Sequence, residues 1–201
     1  MKTLSSKPLS SKTFSINTFL KNICFKKMWL LPYSIVVYLC LGILNAYAQL
    51  ESSHQSGTVA FSGQHAGMDF EGKFERWKAT LILPPQNNAE ITATFFMTSA
   101  KTGDSIYDST LPEFDWFDVE NHALGKFVSS KIVIIEGGYQ VLGDLTIKGL
   151  TKTVSFILTD NKDNLTARFG INRLDYKIGL ESDPDAEWVD KTISISMLIN
   201  K

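Results

Sequence analysis

Residues 152–160, KTVSFILTD, send Val154, Phe156 and Leu158 to one side of an extended chain. The same two-residue period recurs in GDLTIKGL (Leu145, Ile147), LTARFGIN (Leu165, Ala167, Phe169, Ile171) and KTISISMLI (Ile193, Ile195, Met197, Ile199). It recurs again in ITATFFMTS, with Ile91, Ala93, Phe95 and Met97 on one side. Strict alternation over roughly six to eight residues marks strands with one buried and one wetted face. Turn signals separate the runs at Pro84-Pro85-Gln86-Asn87-Asn88, Gly137-Gly138, Lys148-Gly149 and Asp160 to Asn164. With Thr58–His65, Phe70–Leu83, Phe127–Ile135 and Gln140–Ile147 added, the chain predicts about eight antiparallel strands. Closing them into one all-β barrel removes exposed edges, so a single barrel domain over 57–201 is the economical fold.

The first 48 residues read differently. MWLLPYSIVVYLCLGIL, residues 28–44, is almost wholly apolar, follows Lys21, Lys26 and Lys27, and is succeeded by Ala46-Tyr47-Ala48. Basic, apolar, then A-x-A is the order of a secretory signal peptide, and it predicts cleavage after Ala48 and a periplasmic destination. The run is shorter than the roughly 20 residues of a membrane span and is interrupted by Pro32 and Gly42. Leu39 before Cys40 argues against a lipoprotein signal. Residues 1–27 act as a long n-region, or Met28 is the true start. Residues 49–56 read as a polar, flexible start.

Removing residues 1–48 changes the chemistry of what is left. All 20 basic residues become 14 while all 21 acidic residues stay, a net charge of −7. A negative surface without basic clusters argues against nucleic acid or anionic membrane as partner. Cys24 and Cys40 leave together, so no disulfide and no thiol ligand or nucleophile remains.

One stretch interrupts the alternation. LPEFDWFDVENH, residues 111–122, crowds Glu113, Asp115, Asp118, Glu120 and His122 among Phe114, Trp116 and Phe117. Ser105 to Leu111 predicts a short helix capped by Asp104, and Glu113 to Val119 a second beyond Pro112. On that second helix the rings share one face and the acids lie largely off it. A metal site would need oxygens converging on one point, usually around a glycine turn. The stretch therefore reads as an amphipathic lid, and no metal or cofactor is expected.

Elsewhere there is no G-x-S-x-G, H-E-x-x-H, P-loop or G-x-G-x-x-G. His65 shares parity with Phe61 and is a candidate polar tip of an apolar interior. Arg173 is a second candidate for a polar mouth, with an ion pair to Asp175 or Asp190 at the surface as the favoured reading. Eight strands enclose room for packed side chains or for one small ligand, and pattern alone fits both.

The chain from about 57 to 200 resembles the YceI-like family of exported lipid- or polyisoprenoid-binding proteins. VAFSGQHAGMDFEGKFERWKATL, TSAKTGDSIYDSTLPEFDWFDVENHALGKFVS, GDLTIKGLTKTVSF, ARFGINRLDYKIG and VDKTISISMLI carry the resemblance. The WFDV form with FERWKA upstream looks closest to members associated with cytochrome b561-type membrane proteins. The resemblance implies a lipocalin-like barrel with one or two short helices near its mouth. It further implies a long apolar tunnel for an isoprenoid, quinone-like or fatty chain, a homodimer, and a membrane cytochrome as partner.

On that reading the tunnel wall is Phe61, Phe74, Phe95, Met97, Phe127, Leu145, Phe156, Phe169 and Ile195. Tyr107, Phe114, Trp116 and Phe117 form the lid, with His65 at the polar tip. Two departures stand out. Tyr107-Asp108 replaces the family's common Arg-Asp pair, and Ala123 replaces the usual Pro after the FDV segment. Three functions follow in order: a periplasmic carrier without catalytic activity, a packed interaction module for a membrane redox partner, and a lipid hydrolase or isomerase. The third has only His65 and the lid acids to work with.

Overall fold

The computed structural model describes residues 49–201. The leader expected over 1–48 lies outside the described residues. The alternating runs form the strands they predict. β1 (Gln49–Ser53), β2 (Gly57–His65), β3 (Met68–Phe74), β4 (Trp77–Ile82), β5 (Glu90–Phe96) and β6 (Ala100–Lys101) precede the lid. β7 (Leu124–Ile135), β8 (Gly138–Ile147), β9 (Leu150–Asp160), β10 (Asn164–Asn172) and β11 (Thr192–Asn200) follow it. All pair antiparallel in one sheet, ordered β1-β4-β5-β7-β8-β9-β10-β11-β2-β3-β6.

That order requires the sheet to curl. β3 and β4 stand near opposite ends of it, yet only Glu75 and Arg76 separate them. Three peptide steps span only about 10 Å, so the two ends must meet. They are stitched where they do: Glu75 N donates to Ser99 O at 2.9 Å, and Phe96 N to Arg76 O at 3.1 Å. Near the other join, Asn200 N donates to Ser56 O at 2.9 Å.

The sheet has eleven strands, not about eight, and each extra strand has a cause. β1 occupies the segment read as a flexible start. Its inward residues are Leu50 and Ser52, and Ser52 is buried despite its polarity, so hydropathy hides the period. The run read as one strand over Phe70–Leu83 is two. Its inward positions are Phe70, Gly72 and Phe74 before the corner, but Trp77, Ala79 and Leu81 after it. That shift of one residue is the corner. β6 is only two residues, too short to carry a period.

Between β6 and β7 the chain forms α1 (Ser105–Thr110), with Asp104 accepting from Ile106 N at 2.8 Å and Tyr107 N at 3.2 Å. The second expected helix, Glu113–Val119, is instead a succession of turns. Asp118 takes φ +48, a left-handed value that ends any helix, and its carboxylate accepts from Asn121 Nδ2 at 2.8 Å. At the foot of β10, Tyr176 is fully buried without a partner for its hydroxyl among the described residues, and burial, then Asp175, pushes its pKa up to about 12.

Candidate ligand cavity

The inward faces of the strands do not fill the space they enclose. A cavity of about 140 Å³ remains along the axis. On one wall three levels follow the register: Val59 with Met197 and Ala167, Phe61 with Ile195 and Phe169, then Ile193 with Ile171. Further round the curled sheet Phe95, Phe127, Leu145 and Phe156 also line the cavity, and Phe156 stacks on Phe169 of the neighbouring strand with centroids 4.8 Å apart. Phe127 lies 5.6 Å from Phe156 on its other side.

Glycines let these rings lie flat. A Cβ on Gly72 would stand 2.3 Å from the Phe61 ring, and one on Gly143 2.5 Å from the Phe127 ring. The pairing of small with large residues therefore frees the centre. Every lining side chain is apolar except Arg173, whose head is occupied elsewhere.

Leu111, Trp116 and Phe117 close one end. Beyond them is a second space of about 190 Å³, sharing Phe61, Phe70, Leu111, Trp116 and Val189 with the first and adding His65, Thr102, Ile106, Tyr107 and Thr110. Its polar feature is a hydrogen bond of 2.7 Å between His65 Nδ1 and Tyr107 Oη. The polar tip thus sits in an antechamber, outside the apolar cavity.

The lid acids have structural work. Asp115 accepts from Glu181 N at 2.9 Å, Ser182 N at 2.9 Å and Ser182 Oγ at 2.6 Å, while its carbonyl accepts from Gly179 N at 2.7 Å. Lys148, at the tip of the β8–β9 hairpin, donates to Asp115 O and Lys177 O, both at 3.0 Å. The lid is thereby clasped to the loop 179–182. Partial burial raises the Asp115 pKa, but the Ser182 hydroxyl and the two amides outweigh it, and the net direction is down. A carboxyl held below its unfolded value, about 3.9, contributes stability above that pH and loses it as pH falls through its folded pKa. Acidification below about pH 4 should therefore loosen the lid, seen as faster proteolysis at 179–183. Asp115→Asn should show that susceptibility already at pH 7.

Arg173 corrects the surface reading. It is 1% exposed, and its partner is Asp183, not Asp175 or Asp190. Nη2 donates to Asp183 Oδ2 at 2.6 Å and to Val189 O at 3.0 Å; Nη1 donates to Ile178 O at 2.8 Å; Nε donates to Asp190 O at 3.1 Å. Asp183 in turn accepts from Glu187 N at 2.8 Å and Val189 N at 2.9 Å. This knot fixes the loop between β10 and β11 that walls the antechamber through Val189.

Of the expected site residues, Phe61, Phe74, Phe95, Met97, Trp116, Phe117, Phe127, Leu145, Phe156, Phe169 and Ile195 line the main cavity. His65 and Tyr107 line the antechamber. Phe114 does not join them. It is 63% exposed, with Lys148 Nζ 5.3 Å from its ring, because turns run through 113–117 in place of the helix that would have aligned it with Phe117. Trp77 and Ile178 also line the cavity and were not expected. The parity of Trp77 with Ala79 and Leu81 was the available signal for the first.

A YceI-like domain model matches residues 50–200, nearly all of the described fold. The chain belongs to the YceI-like family. Burkholderia cenocepacia BcnA is similar in structure, with a TM-score of 0.68 and 25% identity over 75% of this chain and 99% of that one. A UPF0312 protein of Photorhabdus laumondii is 27% identical, over 76% of this chain and 90% of its own. A polyisoprenoid binding domain from Saccharophagus degradans shares the fold, with a TM-score of 0.55 at 11% identity over 75% of this chain and 96% of that one. Within this YceI-like fold, Tyr107 holds His65 and its neighbour Asp108 accepts from Thr102 N at 2.6 Å, tying α1 back to the strand before it.

Proposed function

We propose that this YceI-like protein is an exported, non-enzymatic carrier of an isoprenoid, quinone-like or other long-chain amphiphile. The observation that carries this reading is the cavity: it is apolar along its length, is enclosed by the curled sheet, and is separated only by Leu111, Trp116 and Phe117 from an antechamber that holds the His65–Tyr107 pair. The tail would lie among the inward side chains of Phe61, Phe127 and Phe156, and the head would meet His65 and Tyr107. The polyisoprenoid binding domain of the same fold supports that ligand class. An interaction module with a packed interior has less support, since the interior has volume.

Magnitudes suit a carrier. Each buried methylene contributes about 0.8 kcal/mol, so ten contribute about 8 kcal/mol gross. Ordering a flexible chain and parting the lid subtract several kcal/mol, leaving micromolar or tighter binding. Apolar walls discriminate weakly between similar tails, so specificity should be broad. Titrating residues 49–201 with a fluorescent long-chain fatty probe should give saturable uptake with one site and a dissociation constant at or below about 10 μM. Absence of saturable uptake would overturn the carrier reading.

A further inference from the structure

Three large apolar side chains stand in solvent beside the antechamber, each on a different element. Met68 is 64% exposed, Ile106 70% and Trp188 62%. Their placement around the antechamber follows from its own contacts. Met68 is the register partner of His65 across the β2–β3 hairpin. Ile106 precedes Tyr107 on α1 and itself lines the space. Trp188 precedes Val189, another lining residue, and its carbonyl accepts from Ala66 N at 2.7 Å. All three therefore border the residues joined by the His65–Tyr107 hydrogen bond.

We propose that this rim is a docking surface for a lipid bilayer, through which a chain passes between membrane and cavity without crossing water. The proposal rests on the carrier reading above. Leu111, Trp116 and Phe117 stand between the antechamber and the apolar cavity, so a tail taken up at this rim needs only those lid side chains to part. Large apolar side chains on three separate elements, with a tryptophan among them, suit insertion into the interfacial layer. The ionic character of the surroundings selects the kind of bilayer. Asp69, Glu71, Asp185, Glu187 and Asp190 lie within three residues of Met68 or Trp188 in the chain, against a single base, Lys191. Among the described residues nearby, Lys101 pairs with Asp108 at 3.9 Å, and Arg173 is buried in its knot. With no basic cluster, attachment is apolar, and the matching surface is zwitterionic rather than anionic.

Residues 49–201 lie within one compact unit, and that is the form to test. Sedimentation with phosphatidylcholine vesicles should show adsorption that changes less than twofold between low and high salt. Replacing the three residues together (Met68→Ser, Ile106→Ser and Trp188→Ser) should weaken adsorption at least tenfold, and Met68→Ser with Trp188→Ser, neither of which lines the antechamber, should weaken it while leaving the fluorescent fatty probe bound as before. Ile157→Ser, on the outer face of β9 and also exposed, should leave both unchanged. Wild-type protein that binds the probe but not vesicles, or a triple variant that adsorbs as well as wild type, overturns the rim. Adsorption that disappears in salt, or that requires anionic lipid, overturns it too. A wild type that adsorbs through these residues yet takes up no probe overturns the carrier reading instead.

Discussion

Phe156→Asp should abolish retention of a long-chain ligand. Phe156 is buried on β9, stacked on Phe169 and packed against Phe127, at the middle of the cavity wall. A carboxylate there has no hydrogen-bond donor within a wall of rings and aliphatic chains, and burying such a charge costs several kcal/mol. The protein can answer by protonating it or by admitting water, and either replaces an oily surface with a polar one. A domain of this size has roughly 5–15 kcal/mol of stability, so part of the loss will show as a lower melting temperature. Phe95→Asp separates the two effects. Phe95 is only half-buried, 5.5 Å from Phe74, and its replacement should cost less stability while still polarising the wall. Solvent extraction of each purified variant, read beside its thermal melt, checks this. A folded variant that still carries lipid would remove its position from the wall.

The second large effect is on stability. Arg173→Ala should destabilise the fold by about 3–5 kcal/mol, because removing one partner of a buried pair strands the other. Here it strands more than the Asp183 carboxylate: the carbonyls of Ile178, Val189 and Asp190 lose their donor as well. At about 2–4 °C per kcal/mol for a domain of this length, the melting temperature should fall by roughly 10 °C. Arg173→Lys should not rescue it, since an ammonium cannot reach donors in several directions at once. Asp183→Asn should cost less, since the amide oxygen can still accept from Arg173 Nη2 and Val189 N, leaving only Glu187 N facing the amide nitrogen. A melting temperature unchanged in Arg173→Ala would show that the loop is held by other contacts.

Much of this architecture was legible in the alternation. The inward sets of β5, β9, β10 and β11 are the ones read from the chain, because one face of each strand is oily and the other is not. What escaped had physical reasons. β1 buries a serine in place of an aliphatic residue, and the corner at Glu75-Arg76 shows only as a change of parity. Whether the interior is full or hollow depends on how rings lie over Gly72 and Gly143, which no periodicity records. The roles of Asp115 and Arg173 depend on the loop between β10 and β11, which has no period at all. Asp115 reaches Ser182 across 67 positions, and Arg173 finds Asp183 ten residues on, past nearer acids. The amphipathic character of the lid is plain in its residues, yet its turns leave Phe114 outside, where a helix would have set it beside Phe117.

The central claim is that the cavity holds a lipid chain, and native mass spectrometry of residues 49–201 purified from its producing cells tests it most directly. The account predicts a discrete adduct in the mass range of a prenyl or long acyl chain, extractable by solvent and absent from Phe156→Asp. A clean mass of the polypeptide alone, with no uptake when polyprenol or fatty amide is offered, would contradict it.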